Sequence, residues 1–171
     1  MINDLFFTKY KQEIIKQTQN LIQIPSIYEK SSNPKMPFGK NVNLALEHIL
    51  KLGNSLGFRT KNIDGYCGYI EFGSGEDLIG IATHLDVVPA KINWKYPPFE
   101  AKIIDNKIYG RGSIDDKGPT IASLYAMKII KENFDFKKRV RLILGLNEEN
   151  NWDCIEYYKK HSEIPLIRIQ S

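Results

Sequence analysis

LIGIATHLD, residues 78–86, decides how the rest of the chain is read. Its first six residues are nearly all apolar, as expected of a central strand covered on both faces. His84 and Asp86 stand where that strand ends. RVRLILGLN, residues 139–147, reads as a second buried strand, and Glu148 and Glu149 stand at its end. Between the two lies KGPTIASLYAMKIIKEN, residues 117–133, a helix with a broad apolar side built from Ile121, Leu124, Tyr125, Met127, Ile129 and Ile130.

Other elements extend this pattern. Residues 7–23 read as a helix with Tyr10, Ile14, Thr18, Leu21 and Ile22 near one face, closing before Pro25. Residues 39–56 read as a second, with Val42, Ala45, Leu46, Ile49 and Leu56 recurring at three and four, and Gly57 closing it. FRTKNI and YCGYIEF flank the turn Asp64-Gly65, and AKIIDNKIYG splits at Asp105-Asn106 into a small hairpin. NWDCIEYYKKH gives a last helix with Ile155 and Tyr158 inward. The alternation predicts an α/β fold: a mixed, mostly parallel sheet with helices on both faces. Chemistry in such sheets collects at the carboxyl ends of strands.

Composition limits the function classes. The 171 residues suit one domain, and 42% hydrophobic with 26% charged residues is ordinary for a soluble globular protein. The net charge of +4 is mild. The densest basic cluster, Lys137-Lys138-Arg139, precedes a strand and reads as a solvated strand entrance, so no nucleic-acid partner is expected. Cys67 and Cys154 have no CxxC spacing, which argues against a disulfide framework or a cysteine zinc site. The charged N-terminus does not read as a signal peptide, and no run of about 18 apolar residues could span a membrane. The expected compartment is the cytoplasm.

Three stretches then matter together: HLD at 84–86, GRGSIDDKGP at 110–119 and NEEN at 147–150. In extended chain, residues two apart point the same way, so Asp86 can accept the second N–H of the His84 imidazole. Asp115-Asp116 and Glu148-Glu149 would repel if buried alone, and a divalent cation removes that repulsion. Two cations about 3.5 to 4 Å apart need a bridging carboxylate, further histidine or carboxylate ligands, and a spare carboxylate as base. Bland readings exist for each piece. A lone His-x-Asp is more often structural, and each acidic pair could simply open a helix. Three such pairs at strand ends favour the metal reading. GRGSID lacks the third glycine of a dinucleotide fingerprint, and there is no GK[ST] and no HExxH. His48 and His161 lack ligand-like neighbours and read as structural.

HLDVVPA, YPPFEAKIIDNKIYGRGSIDDKGPTIASLYAMKII and LILGLNEENNWDCIEYY together resemble the catalytic domain of the di-zinc peptidase and deacylase family. That family includes carboxypeptidase G, carnosinase, acetylornithine deacetylase and succinyl-diaminopimelate desuccinylase. The text is most similar to its bacterial dipeptidase V branch, from about residue 7 to 164. GRGxxDDKGP joined to EExxW is a specific signature. The resemblance implies two zinc ions, with manganese or cobalt possible at carboxylate-rich sites. It implies His84 on one metal, Asp115 bridging both, Glu149 on the second, Glu148 as general base and Asp86 orienting His84. It further implies a cis Asp115-Asp116 peptide. The implied reaction is hydrolysis of short peptides, most of all dipeptides with a free amino end, with deacylation of N-acyl amino acids as the alternative.

Some positions depart from the family pattern. AKINW (90–94) replaces a glycine-rich turn, Asn147 stands where aspartate is common, and Asn150-Asn151 replaces a glycine-containing turn whose positive φ asparagine tolerates. The chain ends 22 residues after Glu149, and the resemblance fades within IPLIRIQS. Residues 1–171 are therefore expected to be the N-terminal portion of a zinc-peptidase catalytic domain. The lid or dimerisation domain and the rest of the catalytic domain, with one further aspartate and one histidine ligand, would be absent. Three readings follow: a truncated and impaired dipeptidase, an inactive remnant with weak or no metal binding, or one half of a split enzyme paired with a complementing C-terminal chain. A sheet shortened in this way is expected to expose a buried-type edge.

Overall fold

The computed structural model describes residues 4–170. Residues 1–3 of the N-terminus and Ser171 of the IPLIRIQS tail lie outside the described residues. Four helices and seven strands follow in the order α1 (Asp4–Ile22), α2 (Lys40–Ser55), β1 (Arg59–Ile63), β2 (Cys67–Phe72), β3 (Leu78–His84), β4 (Lys102–Ile104), β5 (Lys107–Tyr109), α3 (Lys117–Asn133), β6 (Arg139–Gly145), α4 (Asp153–His161) and β7 (Ile167–Gln170). Five strands form one sheet in the order β1-β2-β6-β3-β7, and β4 and β5 pair on their own.

Turn chemistry sets the antiparallel half of the sheet. Asp64 and Gly65 both take positive φ, 51° and 74°, which folds β1 back on β2 as a hairpin. Asp105 and Asn106 do the same for β4 and β5, at 50° and 60°. Strand β2 then pairs antiparallel with β6, while β6 and β7 flank β3 in parallel. The sheet is mixed, with the parallel pairings on the side that carries His84.

Helices cover both faces because strand residues alternate. A Cβ on Gly68 would meet Leu46 of α2, and one on Gly53 of α2 would meet Ile70, so α2 lies close on the Gly68 and Ile70 face of β2. The opposite face carries Cys67 and Glu71, and there Arg141 of β6 bonds Glu71 and Tyr158 of α4. Helix α3 packs against α1 and touches β3 and β6. Its Ile121, Leu124, Tyr125, Met127 and Ile129 are buried, as the periodicity predicts. Gly57 closes α2 with φ 78° and donates its N–H to Asn54, as expected of a glycine just past a helix end.

The tail departs from the reading of the sequence. Residues 167–170 form a short edge strand against β3, in register Ile79 with Ile167 and Ile81 with Ile169. Among the described residues, β7 therefore forms the sheet edge beside β3. The cationic cluster 137–139 is a solvated strand entrance as expected: Lys137 pairs with Asp135, Lys138 with Asp77 and Arg139 with Glu163.

Candidate metal centre

The parallel register of β3 and β6 places His84 beside Gly145, so the two strands release their chains side by side. Leu85 N–H donates to the Gly145 carbonyl at 2.9 Å and carries the ladder one step further. From β3 the chain continues into Asp86, and from β6 into Asn147, Glu148 and Glu149. Asp86 is fully buried. Its two carboxylate oxygens accept the backbone N–H groups of Glu148 and Glu149, each at 3.1 Å. The acid two residues after the histidine thus pins the glutamate turn to the end of β3.

His84 is held by Asp86 on one side and meets Asp115 on the other. Its Nδ1 lies 3.0 Å from the Asp86 carbonyl oxygen and 3.4 Å from the Asp86 carboxylate. Both partners are acceptors, which suits a proton on Nδ1 and directs Nε2 to the opposite side of the ring, toward Asp115. Nε2 is 2.8 Å from Asp115 Oδ1 and 3.8 Å from Glu148 Oε2. Donor atoms of His84, Glu148 and Glu149 all come within 4.8 Å of one another. The residues expected as ligands and base therefore meet at one place, with Glu148 gathered as closely to His84 as a ligand would be.

Asp115 and Asp116 divide their tasks. The peptide between them is cis, as expected. Asp115 is mostly exposed and faces His84 Nε2. Asp116 is buried, accepts the His84 backbone N–H at 3.0 Å and stands at the N-cap of α3. The bland reading of this acidic pair is thus partly right, since one aspartate does open a helix. The pair Glu148-Glu149 does not: α4 begins at Asp153, after the turn.

The electrostatics favour a cation. Burial pulls the His84 imidazole down, but hydrogen bonds to Asp86 and Asp115 and the Asp86 and Asp116 charges outweigh it and raise it to about 9. Burial and the charge of Asp115, followed by those of Glu148 and Asp86, hold the Glu149 carboxyl above its ordinary value. One imidazole stands against the carboxylates of Asp86, Asp115, Asp116, Glu148 and Glu149. Like charges at this spacing are stable together when a cation shares them. An imidazole with several carboxylates suits a borderline or hard divalent ion, so the residues present fit a metal. A cavity of ≈ 340 Å³ opens beside them, lined by Thr83, His84, Asp115, Glu148 and Trp152 among others.

Several supporting residues escape a reading of the sequence. Lys117 is fully buried and donates from Nζ to the Ile24 carbonyl at 2.6 Å. Burial pushes it down to about 7 against the pull of the Asp86 charge. Ser26 donates to the Leu85 carbonyl at 2.6 Å and accepts the Val87 N–H, tying the segment after α1 to the HLD turn. The positive φ of the glutamate turn falls on Trp152, at 61°, and not on Asn150 or Asn151. Asn93, in the AKINW turn, takes φ 79° and does there what a glycine would. Asn147 is buried; its amide donates to Asp153 at 3.2 Å and accepts the Cys154 N–H at 3.4 Å, so it fastens the start of α4. Neither His48 nor His161 joins the cluster. Burial lowers His48, and His161 stacks on Tyr157.

Known proteins place this arrangement. Residues 80–161 match the model of Peptidase family M20/M25/M40. The chain is 48% identical over 159 residues to a Bacillus subtilis protein described as "Putative dipeptidase YtjP", covering 92% of this chain and 34% of that one. It is 42% identical over 161 residues to a "Putative dipeptidase" of Staphylococcus epidermidis, covering 93% and 34%. The chain thus spans about a third of the length of these curated relatives. Its fold resembles that of part of human carnosine dipeptidase 1, with a TM-score of 0.79 at 21% identity over 98% of this chain and 40% of that one. A metallo-carboxypeptidase from Sulfolobus solfataricus has a TM-score of 0.75 at 24% identity, over 92% and 37%.

Proposed function

Residues 80–161 match Peptidase family M20/M25/M40, and from that match we propose that the chain belongs to this family and carries the metal-binding, proton-transferring part of a dipeptide hydrolase. The observation that supports this most is the convergence of His84, Glu148 and Glu149 within 4.8 Å, with Asp115 at 2.8 Å from the same imidazole. The names of the bacterial relatives point to dipeptides as the substrate class.

We assign His84 and Asp115 to one divalent ion and Asp115 and Glu149 to a second, with zinc as the ion. When bound, these ions supply Lewis acidity toward a peptide carbonyl and toward water. The residues do the rest. Glu148, on the same side as His84 Nε2, takes the proton of the attacking water and returns it to the departing amine nitrogen. Asp86 keeps His84 in the tautomer that presents Nε2, and through two N–H bonds keeps Glu148 and Glu149 facing it. Asp116 and Lys117 fix the start of α3 beneath Asp115.

This segment offers each ion two ligands, where catalytic zinc usually has three. We place the remaining ligands in the part of the longer relatives that lies outside the matched third. They can reach the site from the same chain or from a complementing one.

The test is zinc binding by competition with a chromophoric chelator, beside a dipeptide hydrolysis assay on the zinc-supplemented chain. His84→Ala and Asp115→Asn are expected to weaken zinc at least ten-fold. Glu148→Gln is expected to keep zinc and lose turnover. Zinc affinity untouched by both ligand changes would overturn the site, and turnover untouched by Glu148→Gln would overturn the mechanism.

A further inference from the structure

The AKINW turn, residues 90–94, has no part in the metal centre. Asn93 takes φ 79° there, and the turn thrusts apolar side chains into solvent. Ile92 is 92% exposed, and Trp94 is exposed two residues on. Lys91 and Lys95 flank them, so the turn reads KINWK, with charge on both sides of apolar surface. Single exposed apolar side chains are ordinary, whereas a contiguous group marks a contact site.

Ring contacts join this turn to the β4–β5 hairpin and the segment after it. Arg111 lies 5.2 Å from the centre of the Trp94 ring. Lys95 and Lys102 lie 5.4 and 4.9 Å from the centre of the Tyr96 ring, which packs edge-on against Tyr109. Ile114, 85% exposed, lines the same cavity as Trp94 and Tyr109, and the face ends at Asp115, where the carboxylates begin. Residues 88–114 hold five cations, Lys91, Lys95, Lys102, Lys107 and Arg111, against two acids, Glu100 and Asp105, and so carry most of the net charge of +4. Among the described residues none of these five cations makes an ion pair, while all three of the cluster 137–139 do.

We propose that the KINWK turn and the β4–β5 hairpin form a docking face for an anionic membrane surface, with Ile92 and Trp94 inserted and the lysines on the lipid headgroups. Charge complementarity selects this partner. At such a surface apolar side chains enter the acyl boundary, Trp and Tyr sit at headgroup level, and lysines meet the negative charge of the lipids. Among the described residues no helix is long and apolar enough to cross a bilayer, so the contact is peripheral. A single-stranded nucleic acid fits the charge but not the rest. Bases stack on open ring faces, and here Trp94 and Tyr96 already have cations against their rings, while Ile92 and Ile114 give a polar polymer nothing to bind. The face lies outside the proposed ligand set and does not depend on the hydrolase reading.

The experiment is flotation of the 171-residue chain with vesicles of phosphatidylcholine alone and of phosphatidylcholine with about a third phosphatidylserine, at low and high salt. Binding to the anionic vesicles is expected to exceed binding to the neutral ones roughly ten-fold and to fall as salt rises. Ile92→Ser with Trp94→Ser should weaken it roughly ten-fold and leave the far-ultraviolet circular dichroism unchanged. Lys91→Gln with Lys95→Gln should weaken it at low salt and far less at high salt. In a Trp152→Phe background Trp94 is the sole tryptophan, and its emission should move to the blue on anionic vesicles. Leu166→Ser, an exposed apolar change outside this face, should leave binding as it is. Should the serine pair fail to fold, the lysine pair and the Trp94 emission decide alone. Equal binding to both vesicles, binding that survives both pairs, or binding with Trp94 emission unmoved would overturn the proposal. A short single-stranded oligonucleotide that displaces the vesicles through the same residues would overturn it in favour of nucleic acid. Serine changes that abolish self-association in sedimentation but spare vesicle binding would overturn it in favour of a second copy.

Discussion

Asp86 links the two halves of the centre, and its replacement separates them. Asp86→Ala removes the acceptor of two backbone N–H groups and leaves His84 Nδ1 with only a carbonyl partner. The expected cost is about 1–3 kcal/mol in stability, the usual penalty for buried donors left without acceptors. Zinc affinity should fall by roughly 10–100-fold, as when an outer-shell partner of a ligating histidine is lost. Urea unfolding and chelator competition measure the two effects separately. Asp86→Asn keeps one acceptor oxygen and is expected to lose less of both; equal stability of the alanine variant and the wild type would remove Asp86 from this role. The link from His84 to Asp86 is legible in their spacing of two. That the same carboxylate serves Glu148 and Glu149 is not, because it depends on β3 and β6 being neighbours, a pairing between residues far apart in the sequence. Lys117 is hidden for a related reason: nothing in KGP says that the ammonium turns inward to the end of α1.

Between elements, two ties carry measurable weight. Arg141 of β6 bonds Glu71 of β2 at 2.6 Å and Tyr158 of α4 at 2.8 Å, with both charged side chains almost fully buried. Removing Glu71 takes away the 2.6 Å partner of the buried Arg141 and leaves it Glu163 at 3.7 Å, so Glu71→Ala is expected to destabilise the chain by about 1–3 kcal/mol. The double replacement Glu71→Leu with Arg141→Leu should cost less than the single one, and chemical denaturation of the four species gives the coupling. The second tie joins α3 to α1, where Glu132 accepts from Lys128 and from Tyr10. These bonds, Lys128 first, hold its carboxyl down at about 2 against an ordinary 4.5. A depressed carboxyl stabilises the fold above its unfolded value, and that contribution disappears as pH falls from about 4.5 toward about 2. The thermal midpoint of the wild type should therefore drop more steeply than that of Glu132→Gln across that window; parallel curves would remove the tie. Helices and hairpins of this layer are readable because period and turn chemistry are local, as the Asp64-Gly65 and Asp105-Asn106 turns illustrate. Strand β7 is not readable: four residues after Pro165 carry too short a pattern, and only the edge of β3 gives them a partner.

At the scale of the molecule, the sheet has unlike edges. Strand β1 is short and carries two like charges, Arg59 and Lys61, outward, which discourages pairing with another chain. At the other side, β7 shows no further strand beyond it among the described residues. The segment around it is apolar and open: Ile164 is 47% exposed, Leu166 79% and Ile169 54%. An open edge with free N–H and C=O groups and exposed apolar side chains is a template for a further strand. Within the chain that template lies next to the metal centre, since Ile169 and Trp152 line the same cavity as His84 and Glu148. Whatever covers β7 therefore also closes one wall around the proposed ions. Purified alone, the chain is expected to associate in a concentration-dependent way through this edge. Leu166→Lys, which places a charge on the exposed flank without touching a buried residue, should shift sedimentation toward the monomer and leave the far-ultraviolet circular dichroism unchanged. If the lysine variant associates as strongly as the wild type, the edge is not the contact, and the apolar surface around Ile92 and Ile114 becomes the next face to alter.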